Sequence, residues 1–242
     1  MPSDEETALL IWKRSRRRRA TFAPTNLSGA VLWLRADLGV EETGAGVSLW
    51  PDQSGNGNDA TQTTDARRPQ TASWSNGLDA IEFVRASDYF MNVALSDASG
   101  AYTHFCALRQ DLETTDPQFV FRHNATDCGI ISVTQTDDEV GIWDGAYQGS
   151  GTAAASGEQI ITWQLDEDAN TFDCRRDGAD IGSGTFSGTA SDWALPRIGG
   201  YGGAGFAFDG LIAEWITFNR TLSAADIAQV ESYLAAKYGV TL

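Results

Sequence analysis

From residue 30 onward, short apolar runs alternate with clusters of glycine, asparagine, aspartate and serine. Residues 30–36 and 47–50 read as the first two strands, with a Gly/Asn loop between Asp52 and Asp59. Residues 80–83 (Ala-Ile-Glu-Phe) alternate apolar with polar, the period of a half-buried strand. Further strands are expected at 102–108, 118–122, 129–133 and 140–143, the last two separated by an acidic turn at 136–139. Residues 159–165 and 171–175 flank Asp166-Glu167-Asp168-Ala169-Asn170 and form the clearest hairpin. Asp177-Gly178 marks a second turn of the kind that demands positive φ. A strand at 211–218 precedes the one helical pattern: Ser223 as N-cap with Asp226 reaching back, Ile227, Val230 and Leu234 at helical spacing, Gly239 as C-terminal cap. This spacing predicts an all-β meander wrapped into two antiparallel sheets, closed by a short C-terminal helix.

Residues 1–24 break the pattern and read as a separate arm. Ser3-Asp4-Glu5-Glu6 has the form of a helix start, with acids at the positive end of the helix dipole and arginines toward the negative end. A helix of about four turns is marginal alone, so the arm is expected to pack against something, a partner chain above all. Leu10, Ile11 and Trp12 offer apolar contact, and Arg16, Arg17, Arg18 and Arg19 offer charge. The arm holds six basic and three acidic residues, while the chain as a whole carries −16, so the remaining body carries −19. Such a body repels phosphate backbones and anionic membranes, and no nucleic acid partner is expected. The arginine run finds its economical partner in an acidic protein surface or a sister subunit.

The length of 242 residues suits one large sandwich, with residues 25–242 as its domain. No apolar run approaches the roughly 18–20 residues of a membrane span. A cleavable secretory signal is not expected, because Ala8-Leu9-Leu10-Ile11-Trp12 precedes the arginines instead of following them. Cys106, Cys128 and Cys174 are odd in number and widely spaced, which fits neither a disulfide framework nor a zinc site; one bridge among them stays open.

Three stretches near the beginning carry a resemblance: Trp33-Leu34-Arg35-Ala36-Asp37, Leu49-Trp50-Pro51-Asp52-Gln53-Ser54-Gly55-Asn56-Gly57-Asn58-Asp59-Ala60, and Asn76-Gly77-Leu78-Asp79-Ala80-Ile81-Glu82-Phe83. Arg197-Ile198-Gly199-Gly200, Phe208-Asp209-Gly210-Leu211-Ile212-Ala213-Glu214 and Leu222-Ser223 carry it at the end. In this order they resemble the concanavalin-A-like, laminin-G-like (LamG) lectin superfamily across residues 25–242. The resemblance implies a jelly-roll β-sandwich. It also implies the settings in which such domains are widespread: phage tail fibre, baseplate and decoration proteins, adhesins and polysaccharide-acting enzymes, often glycan-binding and sometimes calcium-binding. Fold alone does not fix function.

The candidate residues fall into four groups. Asp52, Asn56, Asn58 and Asp59 bring hard oxygen ligands into one loop, the chemistry of calcium, the one cofactor considered; turn-capping by Asx side chains explains the same residues without metal. Trp143, Asp144 and Tyr147, with Trp193 and Tyr201 in loop-like surroundings, match a sugar site, where rings stack on aromatic faces and carboxylates bond hydroxyls; Trp74 is a weaker member, and the competing reading is that these rings roof the core. Glycosidase chemistry needs two carboxylates facing across a cleft, but Asp137-Asp138-Glu139 and Asp166-Glu167-Asp168 are contiguous and read as solvated turns, and Glu82, Glu214 and His104 read as structural. No catalytic residue is assigned.

The sequence thus points to a non-catalytic recognition module of a larger assembly, specifically a virion protein of a bacteriophage tail or baseplate. It is expected to be assembled in the host cytoplasm and carried in the virion, or otherwise to lie outside the cell or on its surface. Its arm would dock on other virion structural proteins and sister subunits in a homo-oligomer, and its aromatic loops would attach to host-surface polysaccharide. Two other classes compete: a structural decoration protein without glycan binding, and a polysaccharide-degrading enzyme.

Overall fold

The structure is a computed structural model that describes residues 22–96, 100–111, 118–123, 129–133, 139–187, 196–200 and 206–242, with backbone alone at 131–133. Among these lie strands β1 (Ala30–Arg35), β2 (Glu41–Thr43), β3 (Gly46–Trp50), β4 (Ala60–Thr61), β5 (Gln70–Ser73), β6 (Asp79–Phe83), β7 (Met91–Val93), β8 (Ala101–Gln110) and β9 (Gln118–Arg122). They continue with β10 (Gly129–Val133), β11 (Glu139–Trp143), β12 (Tyr147–Ala153), β13 (Gly157–Asp166), β14 (Thr171–Arg176), β15 (Ala179–Thr185), β16 (Arg197–Ile198) and β17 (Gly210–Phe218). Helix α1 (Ala224–Tyr238) follows.

Two antiparallel sheets form a jelly-roll sandwich. The first runs β15-β14-β13-β8-β17-β6-β5, with β1 sharing the β17 edge with β6; the second runs β12-β11-β10-β9-β16-β7-β4-β3-β2. The main core lies between them, where Leu32, Leu34, Cys106, Leu108, Ile161, Trp163 and Trp215 of the first sheet meet Val47, Trp50, Met91, Phe121, Ile130, Ile142 and Ile198 of the second. Phe121 stacks flat on Trp215, with ring centres 4.9 Å apart.

The centre of the first sheet is buried on both faces, because α1 lies on its outer side. Ile227, Val230, Leu234 and Tyr238 pack there on Trp33, Trp74, Phe105, Leu211, Ile216 and Phe218. The helix starts as the sequence predicts, with the Ser223 hydroxyl accepting from the Asp226 backbone N–H at 3.2 Å, and ends at Gly239 with φ 74°. The Asp226 side chain turns instead to Arg220, 3.4 Å away. Trp74 is a core residue, not a surface aromatic: it is 1% exposed and donates its indole N–H to the Tyr238 carbonyl at 3.0 Å.

Every strand expected from the pattern is present. Strands β2, β4, β5, β7, β12, β15 and β16 add to those expected; β2, β4, β7 and β16 are only two or three residues long, and β5, β12 and β15 carry no alternating apolar signal. Cys106 and Cys174 are buried free thiols, both raised in pKa by burial; Cys128 lies outside the described residues.

Candidate functional site

The outer face of the second sheet is the one sheet face that no described helix covers. Its side chains follow from strand register. Met91, Ile198, Phe121, Ile130 and Ile142 form one cross-strand row that points into the core. Because alternate residues on a strand face opposite ways, the neighbouring row, Asn92, Arg197, Arg122, Gly129, Trp143 and Tyr147, points outward.

The row has an aromatic end. Trp143 and Tyr147 are partly exposed and sit edge to face at 4.7 Å. Trp143 also meets Phe119 at 6.3 Å, and Phe119 meets Phe206, 39% exposed, at 6.4 Å. A Cβ on Gly129 would stand 2.6 Å from the Phe119 ring, so a glycine there lets the ring lie down on β10. Trp143 and Tyr147 are opposite partners across a tight hairpin rather than members of a long loop. Gly145, at φ 96°, makes that turn.

Asp144 holds the hairpin. Its Oδ1 accepts from the Ala146 N–H at 3.2 Å and from the Gln148 amide at 3.1 Å, and its Oδ2 accepts from the Ser187 N–H at 2.8 Å. It therefore positions the two aromatic rings, and most of its acceptor capacity is taken. Trp193 and Tyr201 lie outside the described residues.

The other end of the row is cationic. The Arg197 guanidinium lies 4.2 Å from the centre of the Phe90 ring and donates its Nε–H to Asn92 Oδ1 at 3.0 Å. Arg67 also lies on Phe90, at 5.5 Å, and is ion-paired with Asp88. Burial and the like charge of Arg67 lower the Arg197 pKa, while Asp88 opposes them. Arg122 sits between the two ends and is 4% exposed. The sequence reading passed over Arg197, Asn92, Phe90, Phe119 and Phe206; their common face emerges only from register.

The Asp52–Asp59 loop is tied by its own hydrogen bonds. Asp52 Oδ1 accepts from the backbone of Trp33 and Ser54, at 2.9 and 2.8 Å, and Oδ2 from the Ser54 hydroxyl and the Asn58 N–H, at 2.7 and 3.0 Å. Asp59 Oδ1 accepts from the Asp52 N–H at 2.8 Å; Asn56 and Asn58 donate to the carbonyls of Ala30 and Val31. The loop so staples β1 to β3 and β4, and the carboxylate oxygens of Asp52 point at donors rather than converge on one point. Among the described residues, no group of three or more His, Cys, Asp or Glu side chains is arranged to hold a metal ion. The arm residues Leu10, Ile11, Trp12 and Arg16 to Arg19 lie outside the described residues.

Two buried polar clusters lie away from this face. Glu214 is fully buried beneath α1 and receives the Trp33 indole (2.6 Å), the Tyr233 and Tyr238 hydroxyls (both 2.8 Å) and the Lys237 ammonium (2.6 Å). In the core, His104 and His123 face each other at 3.1 Å between Nε2 atoms, and His104 Nδ1 lies 3.0 Å from the Thr217 hydroxyl. Neither cluster opens onto the outer face of the second sheet.

No protein-family model and no curated protein matches the sequence. Solved structures match the fold. Domain 4 of AbnA, an extracellular arabinanase of glycoside hydrolase family 43 from Geobacillus stearothermophilus, solved with arabinotriose, aligns at TM-score 0.58 and 15% identity over 85% of this chain and 98% of that one. The binding domain of Paraclostridial Mosquitocidal Protein 1 aligns at 0.56 and 13% over 87% of this chain and 53% of that one. Trypanosoma rangeli sialidase aligns at 0.57 and 14% over 96% and 38%. This chain thus spans about half of the toxin binding domain and less of the sialidase, but nearly all of the arabinanase domain. At these identities the likeness defines the fold: a β-sandwich of the class seen in carbohydrate-binding domains and domains of glycan-active proteins.

Proposed function

We propose that the chain is a non-catalytic glycan-recognition module, and that the outer face of the second sheet is its binding surface. The observation that carries this reading is the partly exposed Trp143–Tyr147 pair. It abuts the buried Phe119 and the exposed Phe206 on a sheet face that no described helix covers, whereas α1 covers the centre of the opposite sheet. Aromatic faces beside polar side chains give sugar rings both apolar contact and hydrogen bonds. The sandwich fold, shared with domains whose proteins act on carbohydrates, supports it.

The non-catalytic role is supported by where the carboxylates are engaged. Glu214 is enclosed by four donors, Asp144 is tied into a turn, and Glu231 is buried against Arg175 and Thr162. A facing pair across an open cleft is what a glycosidase would need. We place the module in a larger assembly, with a phage virion as the proposed setting. The basic arm, Leu10 to Arg19, anchors it to an acidic structural protein or a sister subunit; the charge contrast between arm and body supports that docking.

The test is binding of the full chain to a panel of immobilised polysaccharides, with Trp143→Ala and Tyr147→Ala beside it, in calcium and in chelator. Saturable binding that falls about fivefold or more in both variants, whose thermal midpoints match the parent, is the expected result; stacking on one ring contributes roughly 1 kcal/mol or more. A folded parent that binds no polysaccharide, even when presented multivalently, would leave the face a structural surface. Replacing Arg16 to Arg19 by Gln should change the oligomeric state or partner capture and leave glycan binding intact.

A further inference from the structure

The Arg197 end of this face is more basic than the molecule that bears it. The body carries −19, yet Arg67 and Arg197 both lie on the Phe90 ring, with Asp88 as the neighbouring carboxylate. Asp88 is already engaged by Arg67. Arg197 is placed differently. Its stem and ring contact are fixed by Phe90, its Nε–H is spent on Asn92, and no carboxylate among the described residues lies within ion-pair distance of it. The outward edge of the guanidinium, its two terminal nitrogens, has no described partner. A guanidinium held rigidly by stacking and by one side-chain bond, with its fork open, is preorganised for a planar anion that takes two parallel hydrogen bonds.

From this we infer that the face selects glycans bearing a carboxylate on the sugar ring, with Arg197 receiving the carboxylate and Trp143 and Tyr147 receiving a neighbouring ring of the same chain. Three strand spacings of roughly 4.8 Å separate Arg197 from Trp143 along the row, about 14 Å, which is oligosaccharide rather than monosaccharide length. Arg122, 4% exposed, and the buried Phe119 lie between the two ends, so a polymer meets them as two separate contacts. Burial and the like charge of Arg67 hold the Arg197 pKa below its usual value, and the opposite charge of an incoming carboxylate acts against that lowering. A phosphate or sulfate ester can also present two oxygens to the fork; the carboxylate is the anion that the carboxyl-reduced polymers below remove selectively.

The inference rests on the glycan reading of the same face, and the experiment separates the two. Full-length protein is titrated with polygalacturonate (a uronic acid polymer), polysialic acid, the carboxyl-reduced form of each, and a neutral arabinan. The expected result is binding to at least one acidic polymer at least tenfold tighter than to its reduced form, with the polymer that binds identifying the sugar class. Arg197→Met keeps the aliphatic stem over Phe90 and should remove most of that preference while leaving binding of the reduced polymer within about twofold. Arg197→Lys, which keeps charge but not the fork, should fall between. Equal binding of acidic and reduced polymers, or a preference unmoved in Arg197→Met, overturns the inference and leaves the glycan reading standing. No binding of any polymer by folded protein overturns both.

Discussion

Glu214 is fully buried and receives four donors, from β1 and α1. It reaches them through a β-bulge: in the β17–β8 pairing, Ile212 opposes Leu108 and Glu214 opposes Ala107, so Ala213 is skipped and both Ala213 and Glu214 face the helix. The same carboxylate raises the pKa of Tyr238 and Tyr233, after burial. Removing its charge leaves the partly buried Lys237 paired with Asp37 alone, at 2.9 Å. Glu214→Gln should cost about 1–3 kcal/mol, read as a lower urea midpoint with an unchanged slope; an unchanged midpoint would mean water replaces the carboxylate. His104 gives a second test. Burial first, and then the neighbouring His123, hold its pKa well below the ordinary 6.5. The unfolded chain protonates near pH 6.5 while the folded chain does not, so this stability is complete above that pH and lost as pH falls through it. The urea midpoint should therefore drop between pH 7 and 5.5, with a limiting slope of about 1.4 kcal/mol per pH unit for one histidine. His104 and His123 are the only histidines in the chain, so a flat profile would contradict a neutral buried His104.

At the scale of elements, legibility tracked burial. Strands such as β8, β13 and β17 lie at the centre of a sheet and are dense in apolar residues, so the sequence announces them, and Ser223 and Gly239 bracket α1 where capping chemistry predicts. Strands β12 and β15 are Tyr-Gln-Gly-Ser-Gly-Thr-Ala and Ala-Asp-Ile-Gly-Ser-Gly-Thr, which read as loops. Their backbones are recruited by pairing with β11 and β14, not by their own side chains. Their glycines also have a tertiary cause. The two strands are the edges of opposite sheets and come together at one margin of the sandwich, where Thr152 donates to the Ile181 carbonyl at 2.5 Å and a Cβ on Gly182 would collide with the Ser150 carbonyl. No single-strand pattern encodes that contact. Gly182, at φ 142°, should accept no side chain: Gly182→Ala is expected to cost roughly 1–3 kcal/mol and to loosen β12, which carries Tyr147. An Ala variant with parental stability would show that the margin is not close-packed. The site was legible only in part for the same reason. Trp143 and Tyr147 announce themselves by type, whereas Arg197 and Phe90 become neighbours of that pair only through the β7–β16–β9–β10–β11 register.

At the scale of the whole molecule, charge sets a condition that a basic patch alone would not. A body at −19 repels a polyanionic glycan at long range, while Arg197 attracts its carboxylate at contact. Salt acts on these differently. The Debye length shrinks from about 30 Å at 0.01 M to about 10 Å at 0.1 M, so adding salt first screens the repulsion from the distant acidic surface. The contact at Arg197 is partly desolvated and hydrogen-bonded, so it is screened much less. Affinity for an acidic polysaccharide should therefore rise between about 0.01 and 0.1 M salt and decline only beyond that range. A neutral polysaccharide should show no such maximum. The arm predicts the opposite behaviour: binding through Arg16 to Arg19 would release counterions and weaken steadily from the lowest salt upward. Titrating the full chain with the acidic polymer across this range, beside the variant with Arg16 to Arg19 replaced by Gln, decides between them. A maximum that survives in the variant assigns the glycan to the sheet face. A steady fall in the parent, lost in the variant, would assign it to the arm and remove the face from recognition of acidic sugars.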